Sequence, residues 1–355
     1  METATNLSTS DRLRSLTNDG LFWFLRNRDL GHIQHGLTFE KYDFGSAHIE
    51  TLASGAVGKL NEDAPMVLPM GKGRTLFAVL DGASSQKQIS GLHPSGLSGA
   101  FYLSHLASMG FGTTAEYANL TQKAELTAKD IMVTMNEWIH EKLRNVPGID
   151  YSDISTLSGM AAAFMLVDIP NKRLTIAQVA DTSIALARND GEVKIITPNL
   201  NERFDGETLK YAIELVGKYK SDLAHIRQIP EAKELIASQI MQANVNKTNK
   251  RGGCGIMNGM PEMVSNGLIC SDTMPINDEI VSMVLFSDGA ILPFTGKDIS
   301  LETSAEALID TLERNDNSSA LTIGASILEH DVDFTKIPRL KLKDDATVIN
   351  VSFRL

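Results

Sequence analysis

The stretch Thr75-Leu76-Phe77-Ala78-Val79-Leu80-Asp81-Gly82 decides how the rest of the chain is read. It is a mostly apolar run of strand length, closed by an acid and a glycine. Successive apolar positions mark a strand covered on both faces, which places it inside a layered core. A turn after such a strand has no need of a carboxylate, so Asp81 calls for another explanation.

The same arrangement recurs along the chain. Asp181 follows Leu174-Thr175-Ile176-Ala177-Gln178-Val179-Ala180, and Asp288 follows Val281-Ser282-Met283-Val284-Leu285-Phe286-Ser287. Asp344 precedes a strand at 347–353, with Asp345 and Ala346 between, and Glu62 and Asp63 lie between two β segments. Asp-Gly alone is a common turn dipeptide, and Asp19-Gly20, Asp190-Gly191 and Asp205-Gly206 read as turns. Repetition at strand ends carries more weight. Several carboxylates brought together repel unless a cation neutralises them. Carboxylates on rigid strand ends suit a hard cation such as Mg²⁺ or Mn²⁺. Glycine after Asp81 and Asp288 allows a sharp turn beside the ligand.

Outward from these strands, residues 1–45 form an N-terminal extension packing on the core. Its Phe22-Trp23-Phe24 run reads as rings capping that core, with a docking patch for a partner as the alternative. A domain at 46–355 follows. Strands fall at 48–53, after Asp63, and at 75–80, and helical periodicity runs from about 95 to 145, ended by Pro147-Gly148. Strand-like segments at 158–167, 173–180 and 183–188 lead into a hairpin at Asp190-Gly191. A polar helical block from about 200 to 246, broken at Pro230, and the basic stretch and glycine loop that follow it to 255 look like an insertion. Its basic stretch, Lys247-Thr248-Asn249-Lys250-Arg251, reads as a solvated loop, the alternative being a contact for a phosphorylated partner. A helical pair at 304–314 and 318–329 precedes the last strand. Clustered strands split by long helices, without βαβ alternation, give an α+β layered fold rather than a doubly wound one.

Bulk composition narrows the function. The 355 residues are 43% hydrophobic and 22% charged, ordinary for a globular protein. A net charge of -11 argues against nucleic-acid binding, which needs clustered Lys and Arg. Cys254 and Cys270 form no CxxC pair, against a zinc or disulfide scaffold. The 14 methionines are spread as core filler. No secretory signal is visible, and the longest apolar stretch, 160–167, is too short to cross a bilayer. The expectation is a cytoplasmic protein without membrane association.

The quoted pieces together resemble the metal-dependent protein phosphatases of type 2C, in a divergent, bacterial-type form. In order they are Asn61-Glu62-Asp63-Ala64, Phe77-Ala78-Val79-Leu80-Asp81-Gly82, Ser158-Gly159-Met160-Ala161 and Val179-Ala180-Asp181-Thr182. Asn258-Gly259-Met260-Pro261, Phe286-Ser287-Asp288-Gly289 and Asp344-Asp345-Ala346-Thr347-Val348 complete the set. Order and rough spacing hold from about residue 47 to the C-terminus. The resemblance implies a four-layer αββα sandwich of two antiparallel sheets with helices outside. It makes the 200–255 insertion a flap beside the cleft. It also implies two Mn²⁺ or Mg²⁺ ions, with a third, weaker one. Asp81 would bridge two ions, the Gly82 carbonyl would bind one, and Asp288 and Asp344 would complete the shell of the first ion. Glu62 and Asp63 would serve the second ion, and Asp181 with Asp288 the third. The implied activity is hydrolysis of phosphoserine and phosphothreonine in phosphoprotein substrates by a metal-activated water, with Asp81, Asp288 and Asp344 as the catalytic carboxylates.

Two positions depart from the pattern. Ala83-Ser84-Ser85 follows Asp81-Gly82, so the general-acid His found in many members is missing, as in many bacterial-type ones; His93 is a weaker substitute. The phosphate-binding Arg is also missing. Gly58 takes its place, with Lys59 alongside as the candidate phosphate contact. These departures support an alternative reading, a catalytically weak or inactive regulatory module on the same scaffold.

Overall fold

In the computed structural model the described residues are 35–53, 60–83, 98–291, 301–313, 320–329 and 344–353. The strands are β1 (His35–Tyr42), β2 (Gly45–Leu52), β3 (Ala64–Pro69), β4 (Arg74–Ala83), β5 (Gly159–Asp168) and β6 (Arg173–Val179). They continue as β7 (Ser183–Arg188), β8 (Val193–Ile195), β9 (Cys270–Pro275), β10 (Ile280–Phe286) and β11 (Ala346–Phe353). One sheet has the order β1-β2-β11-β10-β7-β8 and the other β3-β4-β5-β6-β9. Every pairing between these strands is antiparallel, which excludes the doubly wound alternative.

Strand alternation explains why β4 is apolar at successive positions. Phe77 and Val79 point between the sheets, where they meet Met165, Ile176, Met283, Leu285, Ile349 and Val351. Leu76, Ala78 and Leu80 point the other way, onto helices α1 (Gly99–Gly110) and α3 (Ala128–Leu143), through Phe101, Leu103, Met135 and Ile139. Full burial of each large side chain contributes about 1.5–3 kcal/mol. The six-stranded sheet is covered on its outer face in the same way. Val284, Phe286 and Val348 pack against Leu308, Ile309 and Leu321. The layers are therefore helix, sheet, sheet, helix, as expected.

The region read as one helical stretch is three helices, with α2 (Ala115–Gln122) between α1 and α3. Thr127 and Asp130 start α3 with reciprocal capping hydrogen bonds. Helices α4 (Glu202–Tyr219) and α5 (Pro230–Lys247) fill the inserted segment and share a small core of Ala212, Leu215, Ile226 and Ile236. Pro230 opens α5 rather than breaking a helix, because a first-turn N–H needs no partner. Helices α6 (Leu301–Glu313) and α7 (Ala320–Glu329) complete the outer layer. No described helix is long and apolar enough to cross a membrane.

Several local readings are corrected. His35–Tyr42 pairs with β2 along its whole length, inside a segment where no strand was expected. β9 was also missed: its middle residues are exposed and polar, so it has no apolar signature. Asp205-Gly206 is part of α4, not a turn. Lys247 and Asn249 are buried at 8% and 1% exposure, so the basic stretch is not a uniformly solvated loop.

Candidate metal centre

The positions of the acids follow from strand parity. β4 continues past Leu80 to Ala83, so Asp81 takes the same face as Phe77 and Val79 and enters the mouth of the inter-sheet gap. Ala64 pairs with Leu80, so the next step along the ladder sets Asp63 beside Asp81. Asp345 immediately precedes β11, in phase with the inward Ile349 and Val351, and its Oδ2 accepts the Glu62 N–H at 2.9 Å. The Glu62 carbonyl accepts from Ser104 Oγ at 2.5 Å, which ties this corner to α1. Asn61 Oδ1 takes the Asp63 N–H at 2.9 Å.

Asp288 is placed by its neighbour. The Ser287 N–H donates to the Thr347 carbonyl at 3.0 Å, and the Thr347 N–H donates back to Ser287 Oγ at 2.9 Å. This exchange locks the end of β10 to the start of β11, so Asp288 and the Asp344-Asp345 pair face the same cleft. Gly82 and Gly289 do not occupy the left-handed region. They are needed for close approach: a Cβ on Gly82 would lie 2.6 Å from the Glu62 carbonyl oxygen, and one on Gly289 1.8 Å from that of Asp345.

Asp181 follows Ala180, whose φ of 63° is left-handed. That conformation costs a non-glycine residue about 1–2 kcal/mol and fits a position held for function. Asn201 Nδ2 donates to Asp181 Oδ2 at 2.7 Å. Asn201 precedes α4 but makes no side-chain cap for it, so its amide is spent on Asp181 instead.

These elements enclose a cleft of about 500 Å³. Glu62, Asp63, Asp81, Asp181, Asp288 and Asp344 all line it, with the backbone of Gly82. Asp205, Asp345 and Asn201 line it too and were not expected from sequence. Asp345 was hidden by its twin, since a doublet does not say which acid turns inward. The opposite wall is α5, which contributes Met241, Val245 and Lys247. Lys59 and His93 lie outside the described residues, as does the aromatic run 22–24.

Burial pushes the Asp63 carboxyl well above the usual carboxylate range. The charges of Asp288, Asp345 and Asp344 add to this, while a hydrogen bond with Ser287 opposes it. Asp81 is likewise raised, first by loss of water and then by Asp63, Asp288, Asp181 and Asp344. Asp63 Oδ2 is buried without a hydrogen-bond partner among the described residues. An orphaned carboxylate oxygen facing several others is a poor arrangement for stability alone, and one that a divalent cation would repair. The donor set is all oxygen, as Mg²⁺ or Mn²⁺ requires. Cys254, also in the lining, is a buried thiol pushed up to about 11 and adds no thiolate. Among the described residues no three acidic, imidazole or thiol groups form a ready-made ligand cluster. The acids share a cleft rather than meeting at a point, as mutual repulsion dictates.

No curated protein sequence matches this chain. Solved structures do. RsbX in complex with magnesium is 12% identical, with 90% of this chain and 100% of that one covered and a TM-score of 0.44. The serine/threonine phosphatase Stp1 of Staphylococcus aureus is 14% identical, with coverage of 89% and 99% and a TM-score of 0.44. The serine-threonine phosphatase 2C of Toxoplasma gondii is 11% identical, with coverage of 90% and 98% and a TM-score of 0.48. The sequence profile described as protein phosphatase 2C matches residues 53–323, which contain the acids of the cleft except Asp344 and Asp345. With a match over most of its length, this chain belongs to the protein phosphatase 2C family.

Proposed function

We propose that this protein is a metal-dependent phosphatase that hydrolyses phosphoserine and phosphothreonine in proteins. The observation that carries the reading is the convergence of strand-end carboxylates on one cleft, where Asp63 has a buried oxygen with no hydrogen-bond partner among the described residues. Asp63, Asp81, Asp288 and Asp344 are the side chains we assign to holding two Mn²⁺ or Mg²⁺ ions, with Glu62 and the Gly82 carbonyl beside them. Asp181 is assigned to a third. When bound, such ions supply Lewis acidity to water and to phosphoryl oxygens.

The chain's own contribution is placement. The Ser287–Thr347 exchange fixes Asp288 against the Asp344 side of the cleft. Asn201 holds Asp181 in one orientation. The inserted helices α4 and α5 serve as a flap that walls the cleft and limits access of water and substrate. Two free cysteines, Cys254 and Cys270, support a reducing, cytoplasmic setting.

One observation favours a second reading, a weakly active or inactive regulatory module: Ala83 stands where many family members place their acid His. A missing general acid costs roughly 10²–10⁴-fold. Hydrolysis of an aryl phosphate and of a phosphothreonine peptide under Mn²⁺ titration separates the two. The first reading expects metal-dependent turnover, abolished by Asp81→Ala or Asp288→Ala. Metal binding without turnover on either substrate selects the second.

A further inference from the structure

We propose that Lys247 is the residue that grips the phosphoryl oxygens of the substrate, an inference that rests on the phosphatase reading above. Acids dominate the lining of the cleft, and among the described residues that line it Lys247 is the one basic side chain. A phosphomonoester dianion entering there is repelled by every carboxylate that the bound ions leave unneutralised. A cation on the facing wall offsets that repulsion and supplies three hydrogen-bond donors.

The side chain is held for this purpose. Lys247 is 8% exposed, and its ammonium stands 4.7 Å from the centroid of the Phe204 ring, in the first turn of α4. Among the described residues no carboxylate forms a salt bridge with it. A ring face fixes an ammonium without quenching its charge, whereas a carboxylate partner would already have neutralised it. A purely structural counter-ion would be expected to show that partner.

The backbone beneath is equally fixed. The Lys247 carbonyl accepts N–H donors from Cys254 at 3.1 Å and Lys250 at 3.3 Å. Asn249 takes a left-handed turn, with φ of 54°, and its side-chain Nδ2 donates to the Ile256 carbonyl at 3.0 Å and to Asn258 Oδ1 at 2.9 Å. The loop thus returns to the cleft wall and leaves Lys250 and Arg251 outside. Of the three cations in the basic stretch, one is built into the site.

The test is the affinity of inorganic phosphate for the Mn²⁺-loaded full-length protein, measured by titration calorimetry. It compares wild type with Lys247→Met and Lys247→Arg, and KM and kcat on a phosphothreonine peptide are measured alongside. Methionine keeps the apolar stem over Phe204 and removes only the charge, so Mn²⁺ affinity should not fall and the protein should stay folded. Should that variant fail to fold, Lys247→Gln carries the same comparison. The expected result is phosphate binding weaker by about ten- to a hundredfold. KM should rise in parallel, kcat should change less, and Lys247→Arg should recover most of the loss. Equal phosphate affinity in wild type and Lys247→Met overturns the inference, even in an enzyme that turns over. Charge-dependent phosphate binding without any turnover upholds it and overturns the catalytic reading instead. A wild type that binds no phosphate overturns it.

Discussion

Asp63 stands beside Asp81 across the β3–β4 ladder, and after burial its charge is the largest influence holding the Asp81 carboxyl above the ordinary range. Two acids set side by side at the mouth of an apolar gap cost stability in the metal-free protein. That cost is intelligible if the pair exists to hold a cation.

Replacing Asp63 by Asn should therefore separate stability from binding. Asp63→Asn removes a buried, repelled charge and keeps the shape. The metal-free thermal midpoint should rise, by roughly 2–4 °C for each kcal/mol relieved, while Mn²⁺ affinity falls at least about tenfold. A thermal melt and a calorimetric titration check both. A variant that melts lower and binds Mn²⁺ as well as wild type contradicts this account of the pair.

Gly289→Ala should damage the centre through the backbone. Its new methyl would collide with the Asp345 carbonyl oxygen at 1.8 Å. The expected loss is about 1–3 kcal/mol of stability, together with weakened metal binding, because Asp345 carries the Glu62 N–H. Denaturant midpoints and Mn²⁺ titration read the two effects separately.

The sandwich was legible because its strands are buried on both faces, so 75–80 and 281–286 stood out as apolar runs closed by acids. Asp81, Asp181 and Asp288 were visible for the same reason: a carboxylate at the end of such a run has no packing role. Other parts left no such trace. β9 is a polar edge strand, recognisable only by its partner β6. Lys247 lay in a basic stretch, where charge suggests solvent, and only the folded chain shows its stem covered and its ammonium over Phe204. Asn201 carried no mark of its own in the sequence; its bond to Asp181 depends on how α4 returns to the end of β6.

Asn201→Ala should act on one ion and spare the others. It frees Asp181 from its 2.7 Å tether but touches neither Asp63 nor Asp81. In a Mn²⁺ titration the weakest binding step should lose affinity by about three- to tenfold, with the tighter steps unchanged. Uniform weakening of every step would show that Asn201 supports the flap as a whole.

Stability should also depend on pH through His105. Burial lowers its pKa to about 4, against an ordinary value of 6.5. Between those values the unfolded chain binds a proton that the folded chain refuses. The stabilisation present above pH 6.5 is thus lost progressively as pH falls towards 4, by on the order of 3 kcal/mol in all. Asp63 and Asp81, with raised values, slope the opposite way, so the contribution of His105 is read from the difference between wild type and His105→Gln. Urea midpoints across this window should converge towards those of the variant as pH falls.

The most direct measurement is anomalous diffraction at the manganese edge from crystals of the full-length protein grown with Mn²⁺. Two strong peaks are expected in the cleft, between Asp63 and Asp81 on one side and Asp288 and Asp344 on the other. Peaks elsewhere only, or none at saturating Mn²⁺, would contradict the assignment of these carboxylates to a metal centre.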